Sequence, residues 1–145
     1  MQKLIEVEEG RSVNFKASAF SPIAYNRLFP GRDFLRDMDA LNKKNEKNKK
    51  KEEDGEIKSS IFDMEDYILF ARISYLFAYQ GLAPSPRETE EQREFVQKYP
   101  DAMEWIDTFN TFSIYEILPE IMELWYKNDK TISKPKNPVP APPEK

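Results

Sequence analysis

The side chains behind most enzyme chemistry are missing from this sequence. Its 145 residues include no histidine and no cysteine. That removes the commonest general base, the usual zinc ligands and any thiol nucleophile. Neither G-x-x-x-x-G-K-[ST] nor G-x-G-x-x-G occurs, so no glycine-rich phosphate cradle is written into the chain. Serine–lysine pairs exist, but in a lysine-rich chain they carry no catalytic signal. Glu116, Glu120 and Glu123 share one helical row and have the chemistry to hold a hard cation. The same spacing is that of any wet helix face. Glu53-Asp54-Gly55-Glu56 lacks the ligand spacing of a calcium loop. The expectation is a protein that is not an enzyme, with no catalytic, cofactor-binding or metal-binding residue.

What remains is recognition by apolar and aromatic groups, concentrated between Asp101 and Lys127, which holds both tryptophans. Ile114, Ile117, Leu118, Ile121, Met122 and Trp125 recur at helical spacing and make one stripe. Ser113 and Glu116 form an S-x-x-E capping box at its start, and Pro119 is expected to bend or restart the helix. A second stripe runs through Ile61, Met64, Ile68, Ala71, Tyr75 and Ala78. Phe62, Leu69, Phe70, Ile73, Leu76 and Phe77 widen it almost all the way round. Two roles fit such stripes. They pack the domain's own core, or part of them meets a partner. The partner-binding candidates are Trp105, Tyr115, Ile121, Trp125 and Tyr126, with Phe70 and Phe77 from the second stripe. Periodicity alone does not separate the two roles.

The elements that position these residues follow from local patterns. Leu4–Val7 and Val13–Ala19 flank a Gly-containing turn with period-two alternation, which predicts a β-hairpin that must lie on helices. Ser21-Pro22 reads as N-cap and first helical residue of a short helix ended by Pro30-Gly31. Arg32-Asp33 opens another through Phe34, Leu35, Met38 and Leu41. Residues 42–56 carry no apolar side chain and read as a frayed end and flexible charged loop rather than a nucleic-acid tract, because acids dilute the lysines. Ile57–Gly81 reads as the most apolar helix, with Gly81 as the C′ residue just past its end, the position that usually takes a left-handed glycine. Residues 87–99 form a charged helix docking through Phe95, Val96 and Tyr99, and Asp101 caps a further turn. Residues 131–145 read as a disordered, Pro-rich, extended tail.

Charge and length set the class. The net charge is −4, which gives no pull toward nucleic acid or an anionic membrane surface. No run suits a signal peptide, and the apolar run Tyr67–Tyr79 is too short to cross a bilayer. The expected fold is α+β: an N-terminal β-hairpin on a bundle of four to five helices, one domain over residues 1–130, followed by the tail.

Two segments resemble one family. FKASAFSPIAYNRLFPGRDFLRDM, residues 15–38, is similar to the strand–helix opening of tail assembly chaperones of long-tailed (siphovirus-type) phages and prophages of Gram-positive bacteria. There an F-K-A-[ST] strand runs into a short helix and a G-[RE]-D-[FL] turn. EWIDTFNTFSIYEILPEIMELWYKNDKTISKPK, residues 104–136, resembles the family's ending: an E-W-[LI]-[DE]-x-F segment, a Y-E-[VI]-[LM]-P core and a T-[TI]-S-K tail. The charged stretch around 83–99 and the Pro-rich end depart from the pattern. The resemblance implies a morphogenesis factor without catalytic residues. It binds the tape measure protein, keeps it soluble and recruits major tail tube protein subunits in the cytoplasm of the bacterial host, and it is left out of the mature virion. A homo-oligomer and a frameshifted longer form are further implications. The alternatives are a small helical adaptor or regulatory protein binding a host factor, and a structural tail or connector subunit.

Overall fold

Alternation and a glycine turn build the first element. The computed structural model describes residues 1–55, 61–84 and 87–133, with backbone alone for 128–133. Strand β1 (Gln2–Glu8) pairs antiparallel with β2 (Arg11–Lys16), with Ile5 opposite Val13 and Lys3 opposite Phe15. The turn between them uses Gly10 at φ +79°, where a side chain would be strained. The register slips between Glu6 and Glu8, and the intervening Val7 is buried with Phe15 and Ala17.

Six helices follow among the described residues: α1 (Ser21–Leu28), α2 (Phe34–Glu53), α3 (Met64–Gln80), α4 (Glu90–Lys98), α5 (Ala102–Ile106) and α6 (Ile114–Ser133). α5 is little more than one turn, so the architecture is the expected hairpin on a bundle of five longer helices. α3 is its axis, touching β2 and every other helix. Its Ile73, Leu76 and Phe77 are fully buried. The nearly all-round apolar pattern is therefore that of a central core helix over most of its length. No helix of the described residues is long and apolar enough to cross a membrane.

Several expectations are corrected. The charged loop expected from Asn42 is helical to Glu53. Lysine and glutamate are good helix formers, and the Asp33 carboxylate fixes the start by accepting from the Leu35 and Arg36 amides. Buried Asn45 and Asn48 continue the spacing of Phe34, Met38 and Leu41. Lys44 holds the segment down through an ion pair with Asp66 at 2.7 Å. Glu56 lies outside the described residues.

Ser21 does not cap α1. It sits within the first turn, where its hydroxyl donates to Gln80 Oε1 at 2.6 Å and accepts from the Ser18 amide at 3.0 Å. A buried hydroxyl that links two helices is fully satisfied without capping. α3 begins at Met64 rather than Ile57, because Asp63 and Asp66 form a reciprocal capping box there.

Gly81 is not left-handed: its φ is −65°. It is required for another reason. A Cβ at Gly81 would lie 2.0 Å from the Asn14 carbonyl oxygen, so only glycine lets strand β2 lie against the end of α3. The Asn14 amide group closes this contact by donating to the Gly81 carbonyl at 3.1 Å.

α6 runs through Pro119 as one continuous helix. It also makes Thr131, Ile132 and Ser133 helical, where the tail was expected to start. Residues 134–145 lie outside the described residues.

Candidate partner-binding site

The seven aromatic and aliphatic candidates do not form a surface. The stripe Ile114 to Trp125 is buried, and Trp125 is 7% exposed with its ring edge-on to Phe34 at 4.9 Å. Ile121 and Phe77 are sealed in the same core, and Trp105 lies among Tyr75, Phe95 and Phe109. Tyr115 and Tyr126 are half-buried, Tyr115 packing edge-on against Phe62 at 5.4 Å. Phe70 is buried as well, but it forms the floor of an open groove. Aromatic content marked these residues, and in this fold it marks the core.

The groove lies between the first two turns of α3 and the short α5, with a volume of about 390 Å³. Met64, Tyr67, Ile68 and Ala71 make one wall. Met103 and Ile106 make the other, above a floor of Phe70 and Phe112, whose ring centroids are 5.4 Å apart. The lining is almost wholly apolar. Met64 is 77% exposed, Tyr67 45% and Met103 38%. The other exposed large hydrophobics, Met1, Leu4, Ile23 and Leu35, are dispersed over the hairpin, α1 and α2.

Local sequence places both walls. Asp63 opens α3 and Asp101 opens α5, its carboxylate accepting from the Met103 amide at 2.9 Å. Each helix thus begins with a cap followed closely by a methionine and a glutamate. Behind them the scaffold is held firmly. Trp105 stacks edge-on with Phe112 at 5.5 Å, and Tyr75 donates from its hydroxyl to the Tyr99 carbonyl. The hairpin turn grips the α5–α6 connection. Arg11 donates to the Thr108 carbonyl at 2.9 Å, its guanidinium 3.6 Å above the Phe109 ring. Glu8 accepts from the Asn110 and Thr111 amides.

Two titratable groups at the start of α3 are shifted from their ordinary values. Asp63, accepting the Asp66 amide and facing Lys44, is held below the ordinary carboxylate range, so it stays ionised. Burial, and then Tyr115, raise Tyr67 above the usual phenol value, so its hydroxyl stays neutral. Among the described residues no group of three or more histidine, cysteine or acidic side chains comes together to hold a metal.

Sequence reasoning missed Met64, Tyr67 and Met103 as surface residues. Asp-Met-Glu and Asp-Ala-Met-Glu mark two helix starts, but only the packing of α5 against α3 leaves these side chains open. Comparison with protein-family models, curated proteins and solved structures yields no match to this chain.

Proposed function

We propose that this chain is a tail assembly chaperone of a long-tailed phage or prophage, which covers apolar surface on the tape measure protein until tube subunits replace it. The observation that carries the reading is the open apolar groove at α3 and α5. A contiguous apolar surface on a monomer marks a docking site, and this one rests on a packed aromatic core. Methionine-lined surfaces adapt to related but unequal partners, as a chaperone meeting successive stretches of one long chain requires.

The segments resembling the family also support it. Phe34 of the first packs on Trp125 of the second, so the two segments meet in the core. Each copy would bind weakly, and several copies along one tape measure chain would bind with avidity while remaining displaceable. Such a protein acts in the host cytoplasm and leaves before the virion matures. The test is disruption of its gene in the phage or prophage. The account expects filled heads without tails and no trace of this chain in purified wild-type virions. Normal tails in the mutant, or this chain in stoichiometric amount in finished tails, would overturn it in favour of a dispensable adaptor or a structural subunit.

A further inference from the structure

We propose that strand β1 pairs edge to edge with β1 of a second copy, joining two hairpins into one four-stranded antiparallel sheet. The surface is separate from the α3–α5 groove. The ladder within the hairpin decides which backbone groups are available. Met1 and Ala17 exchange both backbone bonds, each at 2.9 Å. Along antiparallel strands such bonded pairs alternate with pairs whose N–H and C=O groups point away from each other. Lys3–Phe15 and Ile5–Val13 therefore bond inward. Gln2–Lys16, Leu4–Asn14 and Glu6–Ser12 turn their backbone groups out to the two edges. The β2 edge is covered, because the Asn14 carbonyl abuts Gly81 at the end of α3. The β1 edge is open. Gln2, Leu4 and Glu6 are exposed, Leu4 at 67%, and their backbone N–H and C=O groups have no partner among the described residues. Proteins blunt open edges with a charge or a bulge. Here the Lys3 charge is taken up by Glu120 of α6, and the bulge comes only after Glu6.

The geometry selects a second copy as the occupant. The open edge runs from Gln2 to the bulge after Glu6, so it is centred on Leu4. A two-fold axis at Leu4 sets two such edges in antiparallel register with every outward N–H and C=O bonded. Leu4 then faces Leu4, and Gln2 faces Glu6. No other symmetric register uses all three residues. The side chains agree with it. The two exposed Leu4 side chains meet across the axis and leave water. The Gln2 side-chain oxygen accepts from Asn14 at 2.9 Å, which leaves its NH2 group to donate to Glu6 of the second copy. Glu6 accepts from the Gly10 amide through Oε2 and keeps Oε1 for that bond. Lys3 keeps its own Glu120, so no unpaired like charges are brought together. A strand of unrelated sequence would satisfy the backbone alone.

The experiment uses the full chain in sedimentation velocity from about 10 μM to about 1 mM, because so small an interface is a weak one. The mass should rise from monomer to dimer over that range. Leu4→Lys, at an exposed position, should keep the chain monomeric throughout, with an unchanged melting curve at low concentration. Gln2→Glu sets carboxylates opposite each other twice and should weaken the dimer about tenfold. The chain has no cysteine, so Leu4→Cys introduces its sole thiol. Cα atoms of a bonded pair lie about 5.5 Å apart, within disulfide reach. Mild oxidation should therefore cross-link Leu4→Cys at least about tenfold faster than Leu35→Cys, which is exposed on α2. The Leu4 and Glu6 amides should exchange hydrogen about tenfold more slowly in concentrated than in dilute solution. A chain that stays monomeric at the highest concentration, a dimer that survives Leu4→Lys, or a dimer that Met64→Asp with Met103→Asp dissolves instead would overturn the inference. So would a monomer in which Leu4→Lys abolishes binding of the tape measure protein, since the edge would then belong to a partner's strand.

Discussion

Gly81→Ala tests whether the strand–helix contact at the end of α3 is as close as the geometry makes it. The new methyl carbon would meet the Asn14 carbonyl oxygen at 2.0 Å, the Asn14 carbonyl carbon at 2.9 Å and the Phe77 carbonyl oxygen at 3.3 Å. All three are backbone atoms, so no side chain swings away. Relief requires β2 to lift by about 1 Å, and β2 is tied down there. Asn14 donates to the Gly81 carbonyl at 3.1 Å, and Lys16 donates to the Ala83 carbonyl at 3.0 Å. Overpacking of this kind costs about 3 kcal/mol. Alanine returns up to about 1 kcal/mol by restricting the unfolded chain, since φ −65° suits it. The net loss is about 2 kcal/mol, a fall of roughly 6–10 °C in Tm for a domain of this size. Thermal and urea unfolding followed by far-UV circular dichroism measure it. Gly10→Ala is the contrast. Nothing lies within 4 Å of a Cβ there, so its cost is only that of φ +79°, about 1 kcal/mol. A Gly81→Ala protein melting within 2 °C of wild type, or more stable than Gly10→Ala, would refute the close-approach argument.

Four further outcomes follow from the structure. Trp125→Ala should cost about 3–5 kcal/mol, because the ring is buried against Phe34; an unchanged melting temperature would take it out of the core. Tyr25→Phe should cost about 1–2 kcal/mol in urea unfolding, since it removes the 2.6 Å bond from the Tyr25 hydroxyl to buried Asp37 but leaves the two from Arg32. Stability should fall as pH rises from about 10 to about 12. Burial pushes the Tyr75 phenol up to about 12, with Asp101 and Glu104 adding to it. An unfolded tyrosine loses its proton near 10, so over that window the folded state binds more protons and rising pH favours unfolding. A urea midpoint that holds constant to pH 12 would contradict this. EDTA should leave the melting temperature unchanged, because the chain has no histidine or cysteine and no acidic cage among the described residues.

The sequence reveals elements whose signal is periodic and local. The stripe from Ile114 to Trp125, the hairpin alternation through Phe15, and the Asp33 and Asp101 caps each depend on a few neighbouring residues and stand where expected. What it hides depends on distant packing. Asn45 and Asn48 of α2 are buried although nothing in 42–53 looks apolar, because the helix is held by Lys44 reaching across to the start of α3. Gly81 is set by the approach of Asn14, 67 residues away in the chain. The groove was illegible for the same reason. α3 is apolar on nearly every face, and only the position of α5 decides that its first two turns stay open. The aromatics that drew attention are the best core formers, and so most of them are not where a partner can touch.

Sedimentation of the tape measure protein, expressed with and without this chain, tests the central claim most directly. A long helical protein with continuous apolar stripes should self-associate and pellet when expressed alone. With this chain present it should stay in the supernatant and co-elute with it on size-exclusion chromatography, with several copies per tape measure chain. Met64→Asp with Met103→Asp should return it to the pellet. A tape measure protein that pellets equally with and without the chain would contradict the account.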